Sequence, residues 1–489
     1  MATNNTKQAF WLAIGSLCSF GFGLISSMIL SRYFDKSDYG TYKQVLYVYN
    51  TLLTVFTLGL PKAFSFFLPR VPLSQTKSLI RKITNLFFLL GGLFSLLLFV
   101  FSGQIASVLK NPDLSDALMI FAIVPFLMMP TMGLEGILAT FQKTRFMALY
   151  TLVTRIIMLL CVALPVMIWG LGYREALMGF VFGSLLSFLL ALYLKYYPVK
   201  GSGNDHCEIS YKEIFRFSLP LLYASIWGIL INSSDQFFIS RFFGSRVFAD
   251  FSNGSMELPF VGMITGACAA VLSPVFSRMS HEKVDLKKEV YPLWISVFKK
   301  TAMLIYPIVV FCIVFADIVM VVLYGHQYET SSSFFRIKLL ANFFTLISFA
   351  PLIINTGHVN FYSNVHLFYA FFTIVLEYLS VKLFDSPIAI SWISSLCHIS
   401  RIFVMLFLVA RILSVKVYEL FPLKVLGQIV IPSFVFLLIE RFTLVNLLHL
   451  NVFLTLTISV LVYIIVYFFY TRLVKLDYMS IVKPLFSAK

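Results

Sequence analysis

The stretch ITNLFFLLGGLFSLLLFVFS, residues 83–102, runs for twenty residues without a charge. About 20 mostly apolar residues are what an α-helix needs to cross the hydrocarbon of a bilayer. The run is bounded by Arg81 and Lys82 on one side, and the pattern repeats along the whole chain. Windows of this size give fourteen candidate spans: 9–31, 45–68, 83–102, 117–140, 146–169, 175–195, 215–239, 254–277, 301–324, 334–356, 361–384, 387–411, 421–440 and 451–471. A transmembrane barrel would instead show segments of about ten residues alternating in polarity, and none is present. The expected fold is an all-α polytopic membrane protein of about fourteen transmembrane helices.

Composition says the same. Of 489 residues, 59% are hydrophobic and 12% charged, with 53 Phe and 24 Tyr. Mean hydropathy is +0.89. A soluble chain is roughly 45–50% apolar and about 25% charged, so a soluble enzyme, a disordered chain and a secreted disulfide scaffold are excluded. The net charge is +16, but the basic residues lie between apolar runs and form no tract interleaved with aromatics. That is the pattern of a protein held by anionic membrane lipid, not of one that binds nucleic acid. Five of the six cysteines lie in apolar runs and none forms a CxxC pair, which points to small core residues and to no metal site. The N-terminal run has no clear cleavage site and reads as a retained first span.

Basic residues also set orientation. With the N-terminus cytoplasmic, and with Lys195, Arg216, Lys382, Arg411 and Lys424 at window ends counted with the side they adjoin, 24 Lys and Arg fall on the cytoplasmic side, 9 on the opposite side and 5 within spans. This bias predicts both termini in the cytoplasm and an even number of spans. The two longest connections, 196–214 and 278–300, then lie on the cytoplasmic side.

An internal repeat organises the chain. ILSRYFDKSDYGTY (29–42) aligns without gaps to FISRFFGSRVFADF (238–251), at an offset of 209. Ser31/Ser240, Arg32/Arg241 and Phe34/Phe243 are identical, while Tyr39/Phe248 and Tyr42/Phe251 keep a ring. Each copy follows the first span of a six-span set. An even number of spans per repeat gives two parallel lobes related by a pseudo-twofold axis along the membrane normal. The expected domains are an N-terminal six-helix lobe (1–195), a cytoplasmic linker (196–214) centred on GSGNDHCE, a second six-helix lobe (215–411), and helices 13 and 14 with a tail (412–489).

Ionisable residues inside spans are costly and are functional candidates by default. Lys62 follows Pro61, where span 2 should kink. Arg155 lies near the middle of span 5, and Glu135 lies at similar depth in span 4. An ion pair between these two would be the structural alternative to a cavity role. Arg401 shares one face of span 12 with His398 and Ser394. Asp235 lies on a polar face of span 7, and Glu377 is a second acid in span 11. Asp317 and Arg336 are equally far from the turn near Gln327 and read as a structural pair, with Lys338 snorkelling nearby. Glu257 and Glu440 are expected to reach the interface. There is no P-loop, no HExxH and no GxSxG, so neither an ATPase nor a zinc or serine hydrolase is encoded.

Two six-span lobes with a last pair, and the element SRYFDKSDYGTY (31–42) followed by LGLPKAFSFFLPR (58–70), resemble the oligosaccharide-lipid flippases. These are the O-antigen and polysaccharide translocases of the MATE-like (multidrug/oligosaccharidyl-lipid/polysaccharide) exporter superfamily. The resemblance implies an alternating-access transporter and not an enzyme. Its implied cargo is an undecaprenyl-diphosphate-linked oligosaccharide, moved from the inner to the outer leaflet of the bacterial cytoplasmic (inner) membrane, with polysaccharide polymerases as partners. Such a cargo needs cations for its diphosphate, for which Lys62, Arg155, Arg401 and His398 are the candidates. No cofactor is implied beyond a coupling H⁺ or Na⁺, with Asp235, Glu135 and Glu377 as candidate sites. The rival readings are a multidrug/cation antiporter of the same superfamily, a membrane-embedded polymerase or ligase, and a channel. An antiporter would favour acids over cations in its spans, a polymerase would carry a large external loop, and a channel would show a filter or pore ring.

Overall fold

Helices make up nearly every element, and no strand occurs among the described residues, which in this computed structural model are 2–203, 205–282, 284–346 and 349–478. The chain divides into two compact units, Met1–Ala249 and Asp250–Lys489.

The first unit holds α1 (Ala2–Tyr33), α2 (Lys36–Phe56), α3 (Pro61–Phe67), α4 (Leu73–Val100), α5 (Ser102–Val108), α6 (Asp113–Phe121), α7 (Val124–Met128), α8 (Leu134–Thr140), α9 (Thr144–Trp169) and α10 (Tyr173–Tyr196). It also takes α11 (Tyr211–Gly254) as far as Ala249. α1 packs along α9, α9 along α10, and α4 against α7. The decisive apolar stretch lies in α4. One face buries Ile83, Phe87, Phe94 and Leu98, while Leu89, Leu93, Leu96 and Phe99 are exposed on the other. A helix apolar on its exposed face as well as its buried one suits lipid, not water. Gly91 allows close approach on the buried face, since a Cβ there would lie 3.0 Å from the Pro125 carbonyl oxygen.

Two spans of this unit are interrupted. Leu58 and Gly59 have φ of 48° and 71°, and Pro61 opens α3, so the break expected at Pro61 begins slightly earlier. The window 117–140 is split into α6, α7 and α8 around Pro125, Pro130 and Gly133 (φ 77°). Proline removes a helical donor and glycine tolerates positive φ, which accounts for both interruptions.

The repeat is visible in the backbone. α1 and α2 are separated at Asp35, whose side chain caps α2 by accepting from the Ser37 N–H at 3.0 Å. At the equivalent position, 209 residues on, Gly244 breaks α11 with φ 78° and ψ 179°. One copy turns with a capping carboxylate and the other with a glycine. The bends meet within the first unit. The hydroxyls of Ser37 and Ser245 are 2.9 Å apart, Arg246 pairs with Asp35 at 3.4 Å, and a Cβ on Gly40 would fall 2.0 Å from the Ser245 carbonyl oxygen.

The second unit contains α12 (Pro259–His281), α13 (Leu286–Val314), α14 (Ala316–Tyr324), α15 (Ser331–Leu339), α16 (Ala350–Asn355), α17 (Val359–Phe384), α18 (Pro387–Ile412), α19 (Leu423–Arg441) and α20 (Val452–Leu473). α13 packs on α19, α17 on α18, and α12 on α16. Val310, Phe311, Phe315, Leu437 and Tyr463 form a buried cluster, and the buried Trp294 donates its Nε1–H to the Leu420 carbonyl at 3.2 Å.

Among the described residues, 12 helices are long and apolar enough to cross a membrane, against fourteen expected. The two windows without such a helix are 254–277 and 334–356. In the first, α12 is helical from Pro259 to His281, and its apolar stretch among the fully described residues is Pro259–Ala269. The second is divided between α15 and α16, with a 3-10 turn over Leu340–Phe343 and Pro351 opening α16. The chain is a multi-pass, all-α membrane protein.

Candidate functional site

In the first unit, the helix breaks of spans 2 and 4 border a cavity of about 710 Å³. Its wall includes Ser16 and Ser19 of α1, Pro61 of α3, Gly133 and Glu135 beside and in α8, and Thr151 and Arg155 of α9. Arg155 and Glu135 therefore share a cavity. Among the described residues no ion pair joins them, so neither side chain is tied up by the other. Lys62 follows Pro61 and has an exposed side chain. Asp235 is buried in α11, where its Oδ1 accepts from the Gln236 N–H at 2.7 Å.

In the second unit, the polar stripe of α18 gathers a cluster. Ser394, His398 and Arg401 are spaced by four and three, on one helical face. Arg401 Nη2 lies 3.3 Å from His398 Nδ1. A guanidinium only donates, so Nδ1 is the acceptor. From α17, Tyr369 joins through its hydroxyl, 2.6 Å from Ser400 Oγ, and His366 lies beside Tyr362 with ring centroids 4.2 Å apart and planes tilted by 38°. Lys338 also enters. Rather than snorkelling outward, its Nζ donates to Ser394 Oγ at 3.0 Å and lies 5.5 Å from the centre of the Phe251 ring. Two cations and a histidine thus border one polar face. Glu377 is fully buried on the face of α17 that also buries Thr373 and Ser380.

Asp317 accepts from Arg336 Nη2 at 2.9 Å and from Arg441 Nη1 and Nη2, both at 2.6 Å. Arg336 also donates Nε to the Ile313 carbonyl at 3.1 Å. This carboxylate ties α14 to α15 and α19, and Arg441 is a structural residue that span counting assigned to an external connection. Glu440, expected at the interface, is instead 7% exposed, with neither carboxylate oxygen hydrogen-bonded among the described residues. A separate cavity of about 990 Å³ between α13 and α20 is lined by Phe311, Tyr463, Tyr467 and Phe468. It holds none of the charges that the sequence singled out. Among the described residues no group of three His, Cys, Asp or Glu is placed to hold a metal ion.

Sequence reasoning missed Lys195. Span counting placed it at the cytoplasmic end of span 6, yet it is fully buried in the last turn of α10. No signal in the sequence separates it from a lysine at the bilayer surface.

Interrupted helices and intramembrane cations beside a cavity are set in a fold shared with multidrug and lipid-flipping exporters. The chain is similar to the lipid II flippase MurJ in an inward closed conformation, with a TM-score of 0.70 at 17% identity over 94% of this chain and 98% of that one. It is similar also to an inward-facing multidrug resistance MATE family transporter of the MOP superfamily, with a TM-score of 0.62 at 15% identity over 84% of this chain and 98% of that one. A family model described as "Polysaccharide biosynthesis protein" matches residues 29–333, and the chain belongs to that family. A putative O-antigen transporter of Shigella flexneri is 22% identical over 177 residues, which cover 36% of this chain and 41% of that relative's length.

Proposed function

We propose that this protein is a flippase for undecaprenyl-diphosphate-linked oligosaccharide repeat units, carrying them by alternating access from the inner to the outer leaflet of the bacterial cytoplasmic membrane for surface polysaccharide or O-antigen synthesis. The observation that carries this reading is the placement of cations. Arg155 lines the 710 Å³ cavity of the first unit with no ion pair among the described residues, and Arg401 and Lys338 border the polar face of α18 in the second. Guanidinium and ammonium groups in a low-dielectric setting suit the oxyanions of a diphosphate, and the hydroxyl and aromatic residues beside them suit sugars. Lys62 and His398 complete the proposed cargo contacts. Family membership and the MurJ-like fold support the same cargo class.

The positive-inside bias puts both termini in the cytoplasm in this reading, and the lobes are 1–195 and 215–411, joined by the linker 196–214 and followed by 412–489. Coupling to H⁺ or Na⁺ is assigned to Asp235, Glu135 and Glu377, and a polysaccharide polymerase is the expected consumer of the cargo outside. The likeness to multidrug exporters, together with Glu135 in the cavity, supports a second reading, cation antiport.

Deletion of the gene with complementation separates the two. Loss of surface glycan with lipid-linked repeat units accumulating on the inner leaflet is expected. Normal glycan with altered sensitivity to cationic drugs would favour the antiporter.

A further inference from the structure

Lys195 is the charge the site does not yet explain. A lysine in the last turn of a transmembrane helix ordinarily extends its stem along apolar surface and places its ammonium among the headgroups. Lys195 is wholly buried instead, and among the described residues its Nζ has no hydrogen-bond partner. It lies 4.8 Å from the centre of the Phe64 ring and 5.5 Å from that of Phe87. The two rings are themselves nearly parallel, 6.3 Å apart with 18° between their planes. Ring faces attract a cation but supply none of the three acceptors an ammonium can use. A charge held in this way is poorly compensated in the state seen here.

The cage adjoins a residue that lines the cavity. Phe64 belongs to α3, the seven-residue helix set off by the positive-φ pair Leu58 and Gly59. α3 packs on α8, and the Phe64 ring presses so closely on Gly133 that a Cβ there would fall 2.1 Å from it. Pro61 and Gly133 both line the cavity that holds Arg155 and Glu135. The residues that link the cage to the cavity therefore lie at two helix interruptions, the places where a helix bends most readily.

We infer that Lys195 is a concealed binding residue for a phosphate-ester anion. When α3 swings at Leu58–Gly59, the Phe64 ring leaves Lys195, and the ammonium pairs with phosphate oxygens in the Arg155 cavity. This rests on the flippase reading for the identity of the anion, the diphosphate of the lipid-linked glycan.

Two measurements test it. The first complements the deletion strain with wild type, Lys195→Met and Lys195→Arg. Methionine keeps the stem and removes a poorly compensated buried charge, so folded protein in the membrane should equal or exceed wild type. Export is expected to fall at least tenfold with Lys195→Met and to be partly retained with Lys195→Arg. A role confined to packing would leave Lys195→Met exporting normally, and that result overturns the inference. If wild type itself fails to restore export, the flippase reading fails instead.

The second keeps Lys195 and places Phe67→Cys, buried one turn after Phe64 on α3, in a full-length chain whose six native cysteines are replaced, reconstitutes it in phosphatidylethanolamine vesicles, and follows labelling by a cationic methanethiosulfonate. Labelling should be slow without anion and rise at least tenfold with undecaprenyl diphosphate. An equal rise with phosphatidylglycerol alone would identify a lipid headgroup as the anion and overturn the assignment to cargo. No rise with either overturns the opening of the cage.

Discussion

Asp317 shows how a single side chain holds distant parts of the second unit together. It accepts from Arg336 and, through both oxygens, from Arg441, so its removal leaves two guanidiniums facing each other without a counter-charge. Leaving half-buried charges uncompensated costs more than deleting one of two donors, and we expect Asp317→Ala to destabilise by about 2–4 kcal/mol. Arg336→Ala, whose side chain is 39% exposed, should cost only about 1 kcal/mol because Arg441 still satisfies the carboxylate. Thermal unfolding in detergent checks the order, and an Arg336→Ala variant less stable than Asp317→Ala would contradict it. The two ends of this network were unequally legible. Asp317 and Arg336 flank one turn, so equal depth brings them together in the sequence. Arg441 lies more than a hundred residues on, and only the packing of α19 returns it. Lys195 and Lys338 were misjudged for a related reason: a sequence gives a residue's depth but not the rotation of its helix or the direction of its stem.

At the scale of elements, the paired bends at Asp35 and Gly244 explain why the repeat keeps aromatic and small residues but not the bend residue itself. Tyr39 and Phe248 are both buried, as are Gly40 and Ala249, because these positions pack wherever the helix resumes. The bend needs only a backbone solution, and a cap or a glycine each supplies one. The Ser37 backbone N–H, with smaller help from Lys36 and Arg246, holds the Asp35 carboxyl below the usual carboxylate range. A carboxyl with a lowered folded-state pKa lends stability that is complete above its unfolded value of about 3.9 and is lost as pH falls through the folded one. The difference in melting temperature between wild type and Asp35→Asn should therefore be constant above about pH 5 and shrink as pH falls below about 4. A difference that grows on acidification would refute this assignment. The same bends offer a mechanical test of alternating access. Ser37 and Ser245 present hydroxyls 2.9 Å apart, so the double variant Ser37→Cys/Ser245→Cys should form a disulfide under oxidant. If α2 and α11 must part during transport, oxidation stops export and a reductant restores it. Undiminished export by the fully oxidised protein would show that these bends stay together throughout the cycle.

For the whole molecule, hydropathy was enough to fix the class of fold, because a lipid-facing helix is apolar on every side, as the exposed row Leu89, Leu93, Leu96 and Phe99 shows. It was not enough to locate interruptions. The split of 117–140 at Pro125, Pro130 and Gly133 leaves the window's mean hydropathy untouched, yet it brings Glu135 to the cavity. The function proposed for the whole chain rests on cations spread through both units, and its sharpest consequence is their joint removal. Each charge-assisted contact to a phosphate oxygen is worth about 1.5–3 kcal/mol, or roughly tenfold to a hundredfold in affinity for each. Arg155→Gln and Arg401→Gln should each reduce export while leaving membrane levels of the protein unchanged, since neither side chain is held in an ion pair among the described residues. The triple variant Lys62→Gln/Arg155→Gln/Arg401→Gln should stop export altogether and leave lipid-linked repeat units inside. If these residues only stiffen the helices, the triple variant would instead lose folded protein in proportion to activity, so export per folded molecule is the quantity to measure. Normal export per molecule by the triple variant would remove all three from cargo binding.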